Sequence, residues 1–241
     1  MSLLTLVRHG QASFFSDDYD RLSPLGEVQA RQLGEYWVRL GEVFTEVYVG
    51  PRRRQRQSAE FVGAEYRRAG LPWPEPVVLA DLDEYDLAGL LERLAPVLLK
   101  RNREFEQLVL AYQRGEGESE RTRAFQRMFE MLLTHWQAEP AESAEGGVEG
   151  WHAFRERVAR GLDSITLGTS RGRRVAGFTS GGFIGAAVSR ALETPDRVAL
   201  ELSWRLRNSS LTNLMFTPGR LTLDEFNTLP HLPDRAHWTY R

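Results

Sequence analysis

The chain has 241 residues, 41% of them hydrophobic, with 31 Lys+Arg against 33 Asp+Glu and no cysteine. A net charge of −2 offers no field for nucleic acid or an anionic membrane, and the lack of thiols excludes disulfides, thiol catalysis and thiolate metal sites. No stretch is long enough to span a bilayer, and the N-terminus lacks the basic region and cleavage site of a signal peptide, so a cytoplasmic location is expected.

Residues 3–7, Leu-Leu-Thr-Leu-Val, read as a buried strand that runs into Arg8-His9-Gly10. Residues 11–22 are polar and read as a loop. Ser23-Pro24 then supplies an N-cap and a first-turn proline for a helix carrying Leu25, Val28, Leu33 and Trp37. A second strand lies within Val43 to Val49 and breaks at Gly50-Pro51. A helix follows through Ala59, Phe61, Val62 and Tyr66, then a Pro-rich loop and a third strand, Val77-Val78-Leu79. From Leu87 to about His135 the apolar spacing is helical, with one break at Gly115-Glu116-Gly117 and a polar end from Glu139 to Gly150. This reads as a helical insertion over about 88–146: extra core helices, a lid, or, through an apolar patch near Phe129 and Trp136, an oligomer interface. The alternation then resumes: a helix over Trp151 to Ile165, a strand over Arg174 to Phe178, and the turn Thr179-Ser180-Gly181-Gly182 opening another helix. Ser210 to Phe216, Pro218-Gly219 and Leu221 to Phe226 form a hairpin signature. The expected fold is a single α/β domain over 1–241: a three-layer α/β/α sandwich with a mostly parallel central sheet and a helical insertion.

Three strand ends carry chemistry. Imidazole is a nucleophile at neutral pH, an adjacent guanidinium fits a phosphoryl group, and glycine permits close approach. A helix opening at Ser180 offers free N–H groups to an anion. All basic residues but Lys100 are arginine, so position rather than type must mark a phosphate-binding arginine.

The chain resembles the histidine phosphatase superfamily, also called the phosphoglycerate mutase-like family. The resemblance rests on Leu6-Val7-Arg8-His9-Gly10, Leu22-Ser23-Pro24-Leu25-Gly26, Gly50-Pro51-Arg52-Arg53-Arg54 with Gln57-Ser58-Ala59, Leu82-Asp83-Glu84 and Thr179-Ser180-Gly181-Gly182. It implies that His9 carries the phosphoryl group as a phosphohistidine, that Arg8 and Arg54 bind phosphate, and that Glu84 protonates the leaving oxygen; Ser180 and Gly181, at the helix opening, are the further phosphate-binding candidates. Gln11 and Ser23 are accessory donors, with an N-cap as the other reading of Ser23. Arg52, Arg53 and Arg56 are read as solvated, and an exposed acidic loop is the other reading of Asp81 to Asp86.

The chain departs from the family at Ser180, where a second histidine is usual. A serine hydroxyl donates one hydrogen bond and carries no charge. None of the other histidines (His135, His152, His231, His237) has the context to replace it, and no metal or other cofactor is implied. The implied function is a phosphomonoester hydrolase acting on a small phosphorylated metabolite and releasing inorganic phosphate. The alternative is a weak or silent phosphate-binding module.

Overall fold

The structure is a computed structural model, and it describes residues 1–13, 20–115, 117–139, 148–167 and 170–240. Much of the loop expected over 11–22 and of the polar break at 139–150 lies outside the described residues. Two compact units are present: Met1–Glu84 with Arg157–Arg241, and Tyr85–Glu156.

The first unit is built on a six-stranded sheet. Its strands are β1 (Ser2–Arg8), β2 (Glu46–Val49), β3 (Val77–Val78), β4 (Arg174–Thr179), β5 (Leu211–Thr217) and β6 (Arg220–Thr228), in the order β3-β2-β4-β1-β5-β6. β1, β2, β3 and β4 pair in parallel, and the hairpin β5–β6 closes one edge in antiparallel pairing, as its Pro218-Gly219 turn predicts. Leu4, Leu6, Val7, Val175 and Phe178 are fully buried, which explains why β1 and β4 read as continuous apolar runs. The helices of this unit are α1 (Pro24–Leu40), α2 (Arg53–Arg68), α7 (Gly181–Ala191), α8 (Asp196–Arg205) and the C-terminal part of α6 (Trp151–Thr166). One core joins Leu33 and Trp37 of α1 and Ala59, Val62 and Tyr66 of α2 to Val7, Val47, Val49, Ala176 and Phe178 of the sheet. The fold is α/β, as expected.

The inward stripe of α1 differs from the expected one. Gly26, Gln29, Ala30, Leu33, Gly34 and Trp37 are buried, while Leu25 and Val28 are only half-buried. The cause is close packing: a Cβ on Gly34 would lie 2.8 Å from Glu65 of α2, so small residues define the contact face. Helix α8 has no counterpart in the sequence reading.

The second unit holds α3 (Leu87–Arg101), α4 (Arg103–Arg114), α5 (Glu118–Ala138) and the start of α6. There are two helices, not one, before the Gly115 break. Asn102 is extended, and its side chain accepts the Phe105 N–H at 3.1 Å, capping α4. Trp136 is fully buried among Tyr85, Trp151 and Phe154, with ring centroids 5.2–5.6 Å from it, and donates its indole N–H to Glu149 O. It is therefore core and does not form the exposed apolar patch expected near Phe129.

The order β2-β4-β1 places three parallel carboxyl ends side by side. Val49 pairs with Phe178 and Arg8 with Thr179, so the chain leaves β1 at His9, β2 at Gly50 and β4 at Ser180 on one edge of the sheet. Open parallel sheets bind ligands at such an edge.

Candidate active site

His9 follows β1 directly. Its N–H donates to Thr179 O at 3.0 Å, and its carbonyl accepts from Ser209 N–H at 3.1 Å and the Asn208 amide at 3.4 Å. Ser209 adopts φ 62°, a left-handed conformation unusual for serine, which makes that contact possible. The next residues press against the start of α1. A Cβ on Gly10 would lie 2.4 Å from Gly26 O, and one on Gly26 would lie 2.1 Å from Gln11 O, so both positions require glycine. Gly10 N–H donates to Ser58 Oγ, and Gln11 N–H to the buried Gln29 Oε1.

The imidazole is 6% exposed. Nδ1 lies 2.7 Å from Gly10 O, and Arg54 Nε lies 3.1 Å from Nε2. A carbonyl cannot donate and a guanidinium cannot accept, so the proton sits on Nδ1 and the Nε2 lone pair faces Arg54. Burial, then the Arg54 and Arg8 charges, hold the His9 pKa well below the ordinary 6.5. His9 is thus a neutral imidazole with its nucleophilic nitrogen among guanidinium groups.

The sequence-derived phosphate arginines converge here. Arg54 is buried and also reaches Asp20, with Nη1 at 2.7 Å from Oδ1; Asp20 Oδ2 accepts the Arg53 N–H at 2.8 Å. Arg8 donates to Leu206 O, and its Nε lies 3.6 Å from where a Cβ on Gly181 would stand. Arg53 and Arg56 are exposed, as expected. Arg52 is only partly exposed and is held by the protein. It pairs with Asp83 at 2.6 Å and donates to Glu84 O at 3.2 Å, because the turn after β3 lies against the N-terminus of α2.

That turn brings in Glu84. Thr179 Oγ1 donates to Leu82 O at 2.7 Å, and Arg157 donates to Asp81 O and Asp83 O at 3.2 and 2.8 Å. The stretch Asp81–Glu84 is therefore pinned and half-buried, not a freely solvated acidic loop. Glu84 Oε2 accepts the Gly182 N–H at 2.9 Å, so its carboxyl group occupies the first turn of α7. Ser180, 1% exposed, is the N-cap residue of α7, yet its side chain caps nothing and accepts from Gln55 Nε2 at 2.8 Å. Gly181 opens α7, where the helix itself makes no use of the N–H.

The accessory pair is joined. Ser23 Oγ accepts the Gly26 N–H at 3.1 Å, as an N-cap should, and donates to Gln11 Oε1 at 2.8 Å. His231 is buried behind the loop, 3.0 Å from Ser209 Oγ. Among the described residues, no group of three His, Cys, Asp or Glu side chains could hold a metal ion. The sequence reading missed Asp20, Gln55, Gln29 and the Asn208–Ser209 turn. A polar residue buried in a helix, such as Gln55 or Gln29, is marked only by its place on the inward face of that helix.

The model of the histidine phosphatase superfamily, branch 1, matches residues 4–119 and 111–229. No curated protein sequence matches the chain. Among solved structures, the fold is similar to a phosphoserine phosphatase from Entamoeba histolytica (17% identity, 96% of this chain and 100% of that one, TM-score 0.62). It is also similar to a phosphoglycerate mutase from Bacillus anthracis (17%, 96% and 95%, TM-score 0.63) and the alpha-ribazole phosphatase from Shigella flexneri (16%, 94% and 96%, TM-score 0.60). With the family model matching along most of its length, and a buried histidine among arginines at the edge of the sheet, the chain belongs to the histidine phosphatase superfamily.

Proposed function

We propose that the protein hydrolyses phosphomonoesters of small metabolites through a phosphohistidine on His9. The observation that carries this reading is the tautomer of His9, with Nδ1–H tied to Gly10 O and the Nε2 lone pair directed at the phosphate-binding arginine. Nε2 attacks phosphorus while Arg8, Arg54, Ser180 and the Gly181 N–H hold the phosphoryl oxygens. The ester P–O bond breaks, and the leaving oxygen takes its proton from the Glu84 carboxylic acid. Water then attacks the phosphohistidine and gives its proton to the Glu84 carboxylate. Inorganic phosphate leaves, and His9 returns as the neutral imidazole. Gln11 and Ser23 order the loop that carries His9. The helical unit, which departs from the chain directly after Glu84, is assigned to substrate selection.

Hydrolysis is favoured over mutase activity because nothing in the site argues for protecting a phosphorylated His9 while a substrate reorients. A silent phosphate-binding module remains the second reading, on the single observation of serine at 180. One assay separates them: aryl phosphate turnover by wild type, His9→Ala and Ser180→His. Wild-type turnover that His9→Ala abolishes supports the hydrolase. A wild type at background, with strong gain in Ser180→His, supports the binding module.

A further inference from the structure

We propose that Gln55 is a positioning residue, whose side-chain amide fixes the Ser180 hydroxyl as a hydrogen-bond donor to the transferring phosphoryl group. The proposal rests on the hydrolase reading of the His9 site.

The geometry of one amide carries it. Gln55 is fully buried in the first turn of α2, and its two polar atoms face groups of fixed character. Oε1 lies 3.0 Å from the Arg52 backbone nitrogen, an N–H that can only donate. Nε2 lies 2.8 Å from Ser180 Oγ and 3.4 Å from Leu82 O, a carbonyl that can only accept. A flipped amide would set two donors against each other at Arg52 and two acceptors against each other at Leu82. The orientation is therefore determined, and Ser180 Oγ must accept from Gln55.

A hydroxyl has one proton. With Oγ accepting from Gln55, the Ser180 O–H is turned away from that amide, and no described residue accepts it. Ser180 stands one residue beyond the Arg8–Thr179 register pair, with His9 N–H bonded to Thr179 O, and beside Gly181, which borders the Arg8 guanidinium. Its proton thus belongs to the side of the site where phosphoryl oxygens gather. Room for the amide comes from Gly50, where a Cβ would lie 2.2 Å from Gln55 Oε1. A neutral donor held in one orientation before the substrate arrives loses little on reorganisation, which is how such donors contribute to rate.

The test measures kcat and KM for an aryl phosphate with wild type, Ser180→Ala, Gln55→Met, Gln55→Glu and the Gln55→Met/Ser180→Ala double variant, with thermal melts to confirm folding. Ser180→Ala should lower kcat about ten- to a hundredfold, with a smaller change in KM. Gln55→Met should lower kcat several-fold in the wild-type background and have no effect in the Ser180→Ala background. Gln55→Glu keeps the shape and the acceptor for Arg52 N–H but draws the Ser180 proton toward itself. It should lower kcat as far as Ser180→Ala does, and it serves if the Met variant does not fold. An active wild type in which the Gln55 and Ser180 losses multiply, or in which Gln55→Glu keeps full kcat, overturns this proposal alone. A wild type without turnover overturns the hydrolase reading and this one with it.

Discussion

Acidification should loosen the support behind His9 through His231. His231 is buried, bonds Ser209 Oγ through Nε2 at 3.0 Å, and packs near the Tyr36 ring at 6.4 Å. Burial lowers its pKa from 6.5 to about 3. The unfolded chain therefore takes up the His231 proton near pH 6.5, while the folded chain resists until about pH 3. The stability tied to the neutral ring is fully present above pH 6.5 and is lost as pH falls from there toward 3, at about 1.4 kcal/mol per pH unit. Between pH 7 and pH 4 the loss is about 3 kcal/mol, a sizeable part of a typical folding free energy. The assay is urea unfolding of wild type and His231→Gln at a series of pH values. His9 titrates in both proteins, so its contribution cancels in the difference. The variant should be the less stable at pH 7, and the gap should narrow or reverse by pH 4. Two curves that stay parallel over this range would mean that His231 takes up its proton alike in the folded and unfolded chains.

Other outcomes follow from the same geometry. Arg54→Gln removes the cation facing His9 Nε2 and should lower kcat/KM for an aryl phosphate on the order of 10²–10³-fold. Asp20→Asn frees Arg54 from a half-exposed carboxylate and should lower the inhibition constant of inorganic phosphate by up to about fivefold, the factor set by an ion pair of about 1 kcal/mol; weaker inhibition would contradict this role. Gly26→Ala sets a Cβ against the Gln11 backbone, so it should cost about 1–3 kcal/mol in a thermal or urea melt and depress kcat beyond the loss of folded protein.

Local signals in the sequence corresponded closely to the structure. Ser23 caps α1, Pro218-Gly219 turns the hairpin, and the apolar runs of β1 and β4 lie at the centre of the sheet. His9, Arg54 and Glu84 lie in short sequence motifs, and the fold sets Arg54 Nε 3.1 Å from His9 Nε2 and the Glu84 carboxyl group 2.9 Å from the Gly182 N–H. Features that the sequence does not display depend on distant partners. The helix break at Asn102 looks like ordinary helical sequence until the Asn side chain is seen capping α4. Helix α8 opens at Asp196 behind the cap residue Pro195, and its buried face is only Ala199, Leu200 and Ser203, too short a stripe to stand out in the sequence. Arg52 resembled its exposed neighbours in composition, and only the turn at Asp83 makes it an internal tie. Gln55 carries no signal in the sequence because a buried amide acquires meaning from the backbone groups it meets.

A phosphoryl group carried on His9 can be trapped during turnover. Rapid quenching into base during aryl phosphate turnover, followed by peptide mass analysis, tests it directly. One acid-labile phosphoryl group is expected on the peptide containing His9, absent from His9→Ala along with activity. Turnover with no phosphoryl group on that peptide, and activity retained by His9→Ala, would contradict it.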